Sequence, residues 1–527
     1  MNKKLKIYKI KNEYGVDPRE LCDIKEAREM IERVSIYHNL KGKDHMIDSI
    51  TWNDLEMDEV FHLVNHTRSY AGEQVLYHIL HGSETEKRDR IDKEADYFAQ
   101  NEDERINMEL GLMNIGKGYL NYYIPDVIDG FGKILVRNTY IYPLLLIALI
   151  LSLIGTIFHS SFILFLLVFA IINLFVYLIF KLRFENELTS LGSIREFILF
   201  CDNLKKSDKL SELYLTDEDK KKLSRLCKMT KVLELYRQRS MMQNSGNPLG
   251  GLLEYLLGIT LIDPICCIGV IKRIQAYKDD ILDFYELTGW IDMVISVASF
   301  RECMDSCKPE IKESGYIECE QIYHPMLKSP VKNDLDMKRN CFFTGANATG
   351  KSTFMKALAI NVILGETIYT CTADRMTFPD MYVMTSMALR DDVLMGESYY
   401  VREIKYLKRM LEVADSGKKT MIVIDEILKG TNTKERIAAS RAVLDYLADR
   451  NAVVIAATHD MELVEFMDDK YDAYYFDCDI EDGEVKFNYV LHQGKNKVTN
   501  AIMLMKGMEF PDVIIGHAIE YSEESVA

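Results

Sequence analysis

The sequence predicts an α+β multidomain protein: a mostly helical region carrying a transmembrane helical hairpin, followed by an α/β domain. Three observations predict it. Two uncharged apolar runs stand back to back between residues 141 and 180. On either side of them apolar residues recur at three- and four-residue spacings. After about residue 317, short apolar runs alternate with helical stretches, and one of those runs ends in a glycine-rich loop. A chain of 527 residues is too long for one hydrophobic core. With 48% hydrophobic and 28% charged residues it is not globally disordered. The 64 basic against 81 acidic residues leave a net charge of −17, which argues against a positive coat for nucleic acid but leaves a local basic surface open. The 11 cysteines are odd in number and scattered, as expected of reduced thiols on the cytosolic side.

The elements follow in chain order. The basic start MNKKLKIYKIKNEYG has no apolar run behind it and is not a signal peptide. Residues 1–50 are charged and weakly periodic, with short helices and no clear fold expected. Residues 51–138 read as helical, notably TWNDLEMDEVFHLVNHTRSYAGEQVLYHIL. Residues 139–182 form the hairpin: Ile141–Phe158 and Phe162–Phe180 lack every charge, and each with its flanks crosses about 30 Å of hydrocarbon at about 1.5 Å per residue. Lys133, Arg137, Lys181 and Arg183 flank the pair, while the His159-Ser160-Ser161 turn has no Lys or Arg. Positive flanks stay inside, so a multi-pass cell-membrane protein with both termini and the α/β domain cytoplasmic is expected. Residues 183–316 are again mostly helical, with a break at Ser245–Gly251. The apolar run Leu252–Val270 holds Glu254, Asp263 and Pro264, and is expected as buried helices of the soluble part. Residues 317–527 form the α/β domain, with NCFFTG, TMIVIDE and NAVVIAAT as buried strands.

Three motifs carry chemistry. GANATGKST, Gly345 to Thr353, lies between the strand Cys341–Phe343 and the helical stretch Phe354–Leu364, the context a P-loop requires. Gly345 and Gly350 permit tight backbone geometry. The N–H groups of the loop, Thr349 and Thr353 included, can surround phosphate oxygens of ATP. Lys351 sets a positive charge against the β and γ phosphates, and Ser352 offers its hydroxyl to Mg²⁺. MIVIDE, Met421 to Glu426, is a strand running into paired acids: Asp425 for the magnesium, Glu426 for the attacking water. In AATHD, His459 follows an apolar strand and is positioned to sense the γ phosphate or orient water.

These motifs and their spacing resemble the MutS mismatch-repair family, whose ATPase domain belongs to the ABC class. TGANATGKST resembles its P-loop, with Asn347 at the family's loop asparagine. DEILKGTNTKERIAAS resembles its second motif and the loop after it, with Leu428 and Lys429 in place of the more usual small and basic pair. ATHDMEL resembles the switch-histidine segment, and RDDVLMGESYYVREI the signature region. HPMLKSPVKNDLDMKRN resembles the lead-in to the P-loop, FYELTGWIDMVISVASF the helix joining lever to ATPase, and VNHTRSYAGEQVLYHIL the opening of the core and lever region. The resemblance implies ATP hydrolysis with Mg²⁺, with Glu426, His459 and Lys351 as catalytic residues. It also implies a homodimer in which Gly396 to Ser398 of one subunit close over the nucleotide of the other. The chain leaves no N-terminal stretch for the family's mismatch-recognition domain, so mismatch recognition is not expected. Two outputs stay open: an ATPase acting on or tethering DNA, with Lys205, Lys206, Lys209, Lys220, Lys221, Lys222 and Arg225 as candidate contacts, and an ATP-driven membrane switch for a protein partner. A transporter is disfavoured by the small number of spans.

Overall fold

The computed structural model describes residues 2–21, 24–42, 47–82, 85–135, 139–244, 255–346, 349–387, 399–481, 484–495, 502, 505 and 510–524. The Ser245–Gly251 break, Arg137 of the hairpin flank and residues 496–501, 503–504, 506–509 and 525–527 of the tail lie outside them.

The N-terminal segment, whose fold the sequence left open, is helical. Helices Lys3–Glu13 and Ile24–Lys41 pack onto the helical part. Glu13 pairs with Arg68, the Gly15 N–H donates to Ser299 Oγ at 2.9 Å, and Val34 and Tyr37 join the main core. Helix Ile24–Lys41 packs through Met30, Ile31, Val34 and Tyr37, at three- and four-residue spacing.

Helix Lys278–Cys303 is the axis of the helical part and is almost wholly buried from Thr288 to Phe300. It lies against helix Tyr70–His81, whose N-cap Ser69 accepts from the Gly72 N–H at 3.1 Å. A Cβ on Gly289 would stand 2.6 Å from the Ala71 carbonyl, so glycine sets the helix spacing here. The Asp292 carboxylate crosses the joint, accepting from Ser69 N–H at 2.7 Å, Ser69 Oγ at 2.5 Å and Arg68 N–H at 2.9 Å. Burial pushes Asp292 up to about 6 despite these donors.

The two apolar runs are helices Ile141–Phe158 and Phe162–Asn203, joined at His159–Ser161. By length and composition both are able to cross a membrane, and only 11% of each apolar window is buried by the rest of the chain. The second helix has 42 residues and runs through residue 182 without a break, so the apolar segment and the arm packed against helix Asp217–Asn244 form one rod about 63 Å long.

The α/β part has two sheets. The smaller, in the order β1-β5-β2-β3, comprises β1 (Glu310–Lys312), β2 (Glu318–Ile322), β3 (Asn333–Asp336) and β5 (Arg375–Pro379). The larger, in the order β10-β9-β4-β8-β7-β6, comprises β4 (Asn340–Thr344), β6 (Tyr382–Ser386), β7 (Thr420–Asp425), β8 (Ala452–Ala457), β9 (Tyr471–Glu481) and β10 (Glu484–Gln493). Strands β4, β7 and β8 are parallel neighbours. Alternation divides their residues between two cores: Met421 and Val423 face the cluster shared with the helical part, whereas Ile422 and Ile424 face a second cluster on the outer side. The helix after the glycine loop spans Lys351–Ile368 and is buried along nearly its whole length. The nine described free cysteines form no disulfide among themselves.

Candidate functional site

The strand order brings the three motifs together. In register, Phe343 of β4 lies beside Ala457 of β8, and Ala457 beside Asp425 of β7. Their following loops therefore emerge side by side at the carboxyl end of the sheet, where ligands bind in open α/β folds.

The glycine loop wraps the lysine. Gly345 and Gly350 have φ of 131° and 103°, and a Cβ on Gly345 would stand 2.5 Å from the Phe476 carbonyl. Lys351 is 4% exposed, and its ammonium donates to the carbonyls of Gly345 at 2.7 Å and Ala346 at 2.8 Å. Burial lowers its pKa; Asp425 and Glu426 offset that in part. Thr349 Oγ1 donates to the Ala346 carbonyl at 2.8 Å, tying the loop to itself. Ser352 Oγ donates to Asp425 Oδ2 at 2.6 Å, so the hydroxyl and carboxylate read as magnesium ligands already touch.

Glu426 sits in the left-handed region at φ 61°, with its N–H on the Ala457 carbonyl at 3.1 Å. Its carboxylate meets His459 Nε2 at 3.2 Å and Lys429 Nζ at 3.2 Å. Burial raises its pKa, but the hydrogen bond from His459 and the charge and hydrogen bond of Lys429 outweigh it, and the group falls to about 2. Glu426 is thus an anion held by two neighbours. Asn347, Gly396 and Ser398 lie outside the described residues. Thr353 is described and lines a cavity of about 340 Å³ next to Gly350, together with His324, Phe476 and Tyr489. Burial keeps His324 neutral, with its pKa down at about 4.

Three functional features escaped the sequence reading. Lys429 is one, as the partner of Glu426. Glu403 is another: it is 2% exposed, and its Oε1 accepts the Lys429 N–H at 3.1 Å. It holds the loop after β7 from the helix Tyr399–Asp415. The available signal was an acid at helical spacing in the buried stripe Leu407, Met410, Ala414. The third is Arg436, which forks onto Asp460 at 2.7 and 2.9 Å and fixes the His459 segment against helix Thr433–Ala448.

Four of the seven candidate basic residues pair with acids of the chain, two of them with the same aspartate. Lys205 pairs with Asp202 at 2.7 Å, Lys220 with Asp217 at 3.5 Å, and Lys222 and Arg225 with Asp280 at 3.3 and 4.0 Å.

Residues 341–525 match the family model described as MutS domain V. Over 261 residues the chain is 27% identical to the endonuclease MutS2 of Carboxydothermus hydrogenoformans, covering 48% of this chain and 33% of that protein. It is 31% identical over 267 residues to the DNA mismatch repair protein MutS of Persephonella marina, covering 48% and 30%. With the MutS of Fusobacterium nucleatum it shares 31% identity over 225 residues, covering 40% and 25%. The aligned region thus spans a third or less of these curated relatives.

Proposed function

We propose that this chain is a membrane-anchored, magnesium-dependent ATPase that works as a homodimer with composite sites. One observation carries the reading: adjacent strand ends bring Lys351 and Ser352, Asp425 and Glu426, and His459 to one place, with Ser352 bonded to Asp425 at 2.6 Å. The residues suit the nucleotide. A buried ammonium resting on neutral carbonyls has room in its electrostatics for an anion, which phosphate oxygens supply better than peptide dipoles. Among the described residues no group of three or more His, Cys, Asp and Glu could hold a metal by itself. That fits magnesium, which is held by one or two side chains plus phosphates.

Ser352 and Asp425 would hold magnesium, which would supply neutralising charge as the β–γ phosphoanhydride of ATP, with its β and γ phosphates, is cleaved. Lys351 binds the same phosphates from the glycine loop. Glu426 orients water for attack, and His459 holds the Glu426 carboxylate in place while facing the γ position. Lys429, half-exposed, competes for Glu426 and must leave for it to accept a proton. The cavity beside Gly350, with Tyr489 and Phe476, suits the nucleobase. Two outputs remain: work on DNA, as the relatives' names suggest, and a switch acting on a protein partner. The ion pairs on the arm favour the second.

The test is phosphate release by the purified full chain in detergent. Magnesium-dependent release is expected, with loss in Lys351→Ala. Release that is equal in both proteins would overturn the reading. Duplex DNA added across salt concentrations separates the outputs: stimulation that fades with salt supports DNA, and a flat response supports the protein switch.

A further inference from the structure

We infer that residues 255–271 form a re-entrant element that dips into the hydrocarbon of the same bilayer as the hairpin and returns to the cytoplasmic side. This rests on reading the segment Phe162–Arg183 as a membrane span.

The depth register comes from one hydrogen bond. Asn173 is fully buried, and its Nδ2 donates to the Ile259 carbonyl at 2.8 Å. Asn173 precedes the charged flank at Arg183 by about three helical turns, about 15 Å of rise, which is half of a hydrocarbon core of about 30 Å. The Ile259 backbone therefore sits near the bilayer midplane. Gly258 lies against the ring of Tyr177, one turn nearer Arg183, where a Cβ would collide. From Gly258 to Ile259 the chain is thus descending.

It then turns back. Leu261 adopts φ 53°, and its N–H bonds to the Gly258 carbonyl at 3.0 Å. The Thr260 N–H and Oγ1 both donate to the Leu256 carbonyl, at 3.1 and 2.9 Å. The Leu256 and Gly258 carbonyls are thus satisfied within the turn, as suits a segment away from water. Helix Ile262–Ala276 rises from there against helices Ile141–Phe158 and Ile124–Leu135. Its first charges after Asp263 are Lys272 and Arg273, both exposed. They lie about 16 Å along the helix from Leu261, back at the level of Lys181 and Arg183.

The outward face completes the argument. Tyr255, Leu256, Ile262 and Cys266 are exposed, with Ile262 and Cys266 one turn apart on the helix. Asp263, the one charge between Tyr255 and Ile271, is buried. By that register the stripe lies at the depth of the exposed faces of the two apolar helices, both of which helix Ile262–Ala276 touches. The occupant that covers both is lipid acyl chain.

The experiment uses the full chain in vesicles of lipid brominated midway along the acyl chains, with tryptophan fluorescence as the readout. Trp52 and Trp290, both buried in the soluble part, give a constant background. Ile262→Trp and Leu256→Trp report the proposed element, and Leu167→Trp, exposed on the span, reports the hairpin. Expected is loss of most of the added emission at all three positions. Quenching of Leu167→Trp without quenching at Ile262 or Leu256 would overturn the re-entrant element and leave its face to water or a second copy of the chain. Absence of quenching at all three would overturn the spanning hairpin together with this inference.

Discussion

Glu426 shows how one residue carries conflicting demands. Its left-handed backbone costs about 1–3 kcal/mol, and Leu428 two residues on is also left-handed at φ 56°. Leu428 is buried, which offsets that cost where a small residue would be expected. The strained turn aims the Glu426 carboxylate at His459 and Lys429. Glu426→Gln is expected to keep ATP affinity and slow phosphate release by about 10²-fold or more, read by nucleotide binding alongside turnover. A second outcome concerns acid. A carboxylate lowered to about 2 in the fold contributes stability that is fully present above its unfolded value near 4.5. That contribution is lost as pH falls through about 2. Melting curves from pH 5 down to pH 2 should therefore show a shallower decline for Glu426→Gln than for the wild type.

At the scale of elements, the helix after the glycine loop is tied to the helical part at both its flank and its end. Arg88, on helix Thr85–Gln100, makes a buried pair with Glu366 and reaches Asp380 at 2.7 Å. Glu366 also receives the Met381 N–H at 3.1 Å. Arg301 caps the helix end, donating to the Tyr369 carbonyl at 3.0 Å and Thr370 Oγ1 at 2.9 Å. The short helix Ser49–Asp54 grips the end of β6: Asp54 accepts from Thr385 Oγ1 at 2.8 Å and from the Met387 N–H at 2.9 Å. Movement of the end of β6 or of helix Lys351–Ile368 must therefore reach helices Ser49–Asp54, Thr85–Gln100 and Lys278–Cys303. Arg88→Ala should cost about 3–5 kcal/mol, because it leaves Glu366 buried without its cation. Arg88→Met combined with Glu366→Gln should recover most of that loss, since the amide oxygen still accepts from Met381. Denaturant midpoints of the single and double variants decide it.

For the whole molecule, two expectations concern assembly. The full chain should pellet with membranes and resist carbonate extraction, and deletion of residues 139–182 should release it. Recovery of the full chain as a soluble protein without detergent would remove the hairpin from the bilayer. The proposed composite site requires two chains, since each carries one glycine loop and one signature-like segment. Ser398→Arg is expected to leave ATP binding to one chain intact and to block closure. Mixed with Lys351→Ala, it should rebuild one competent site from the Lys351 of one chain and the Ser398 of the other. Hydrolysis should return to at most about half per dimer, less where sites are coupled. Mass measurement in detergent with ATP, beside phosphate release, checks this. Confirmed heterodimers no more active than their components would exclude independent composite sites.

What the sequence determined by itself is what is local along the chain. A strand, a glycine loop and a helix follow one another within the stretch 341–364, so that order was legible without the fold. The uncharged runs at 141–158 and 162–180 were legible as two long apolar helices because no charge interrupts either of them. The buried strands β4, β7 and β8 were legible because a two-sided apolar environment leaves continuous apolar runs. Tertiary structure alone decided the pairings between distant residues. Glu403 looks like an ordinary helical acid until the loop after β7 lays the Lys429 N–H on it. Lys429 looks like a surface charge until the turn at Glu426 brings the two together. The run Leu252–Val270 read as part of the soluble core, because its Glu254, Asp263 and Pro264 interrupt the pattern of a full span. Only the bond from Asn173 to Ile259 gives that run a depth. Residue type sets what a group demands, a partner or a solvent, but which group answers depends on how segments far apart in sequence are packed.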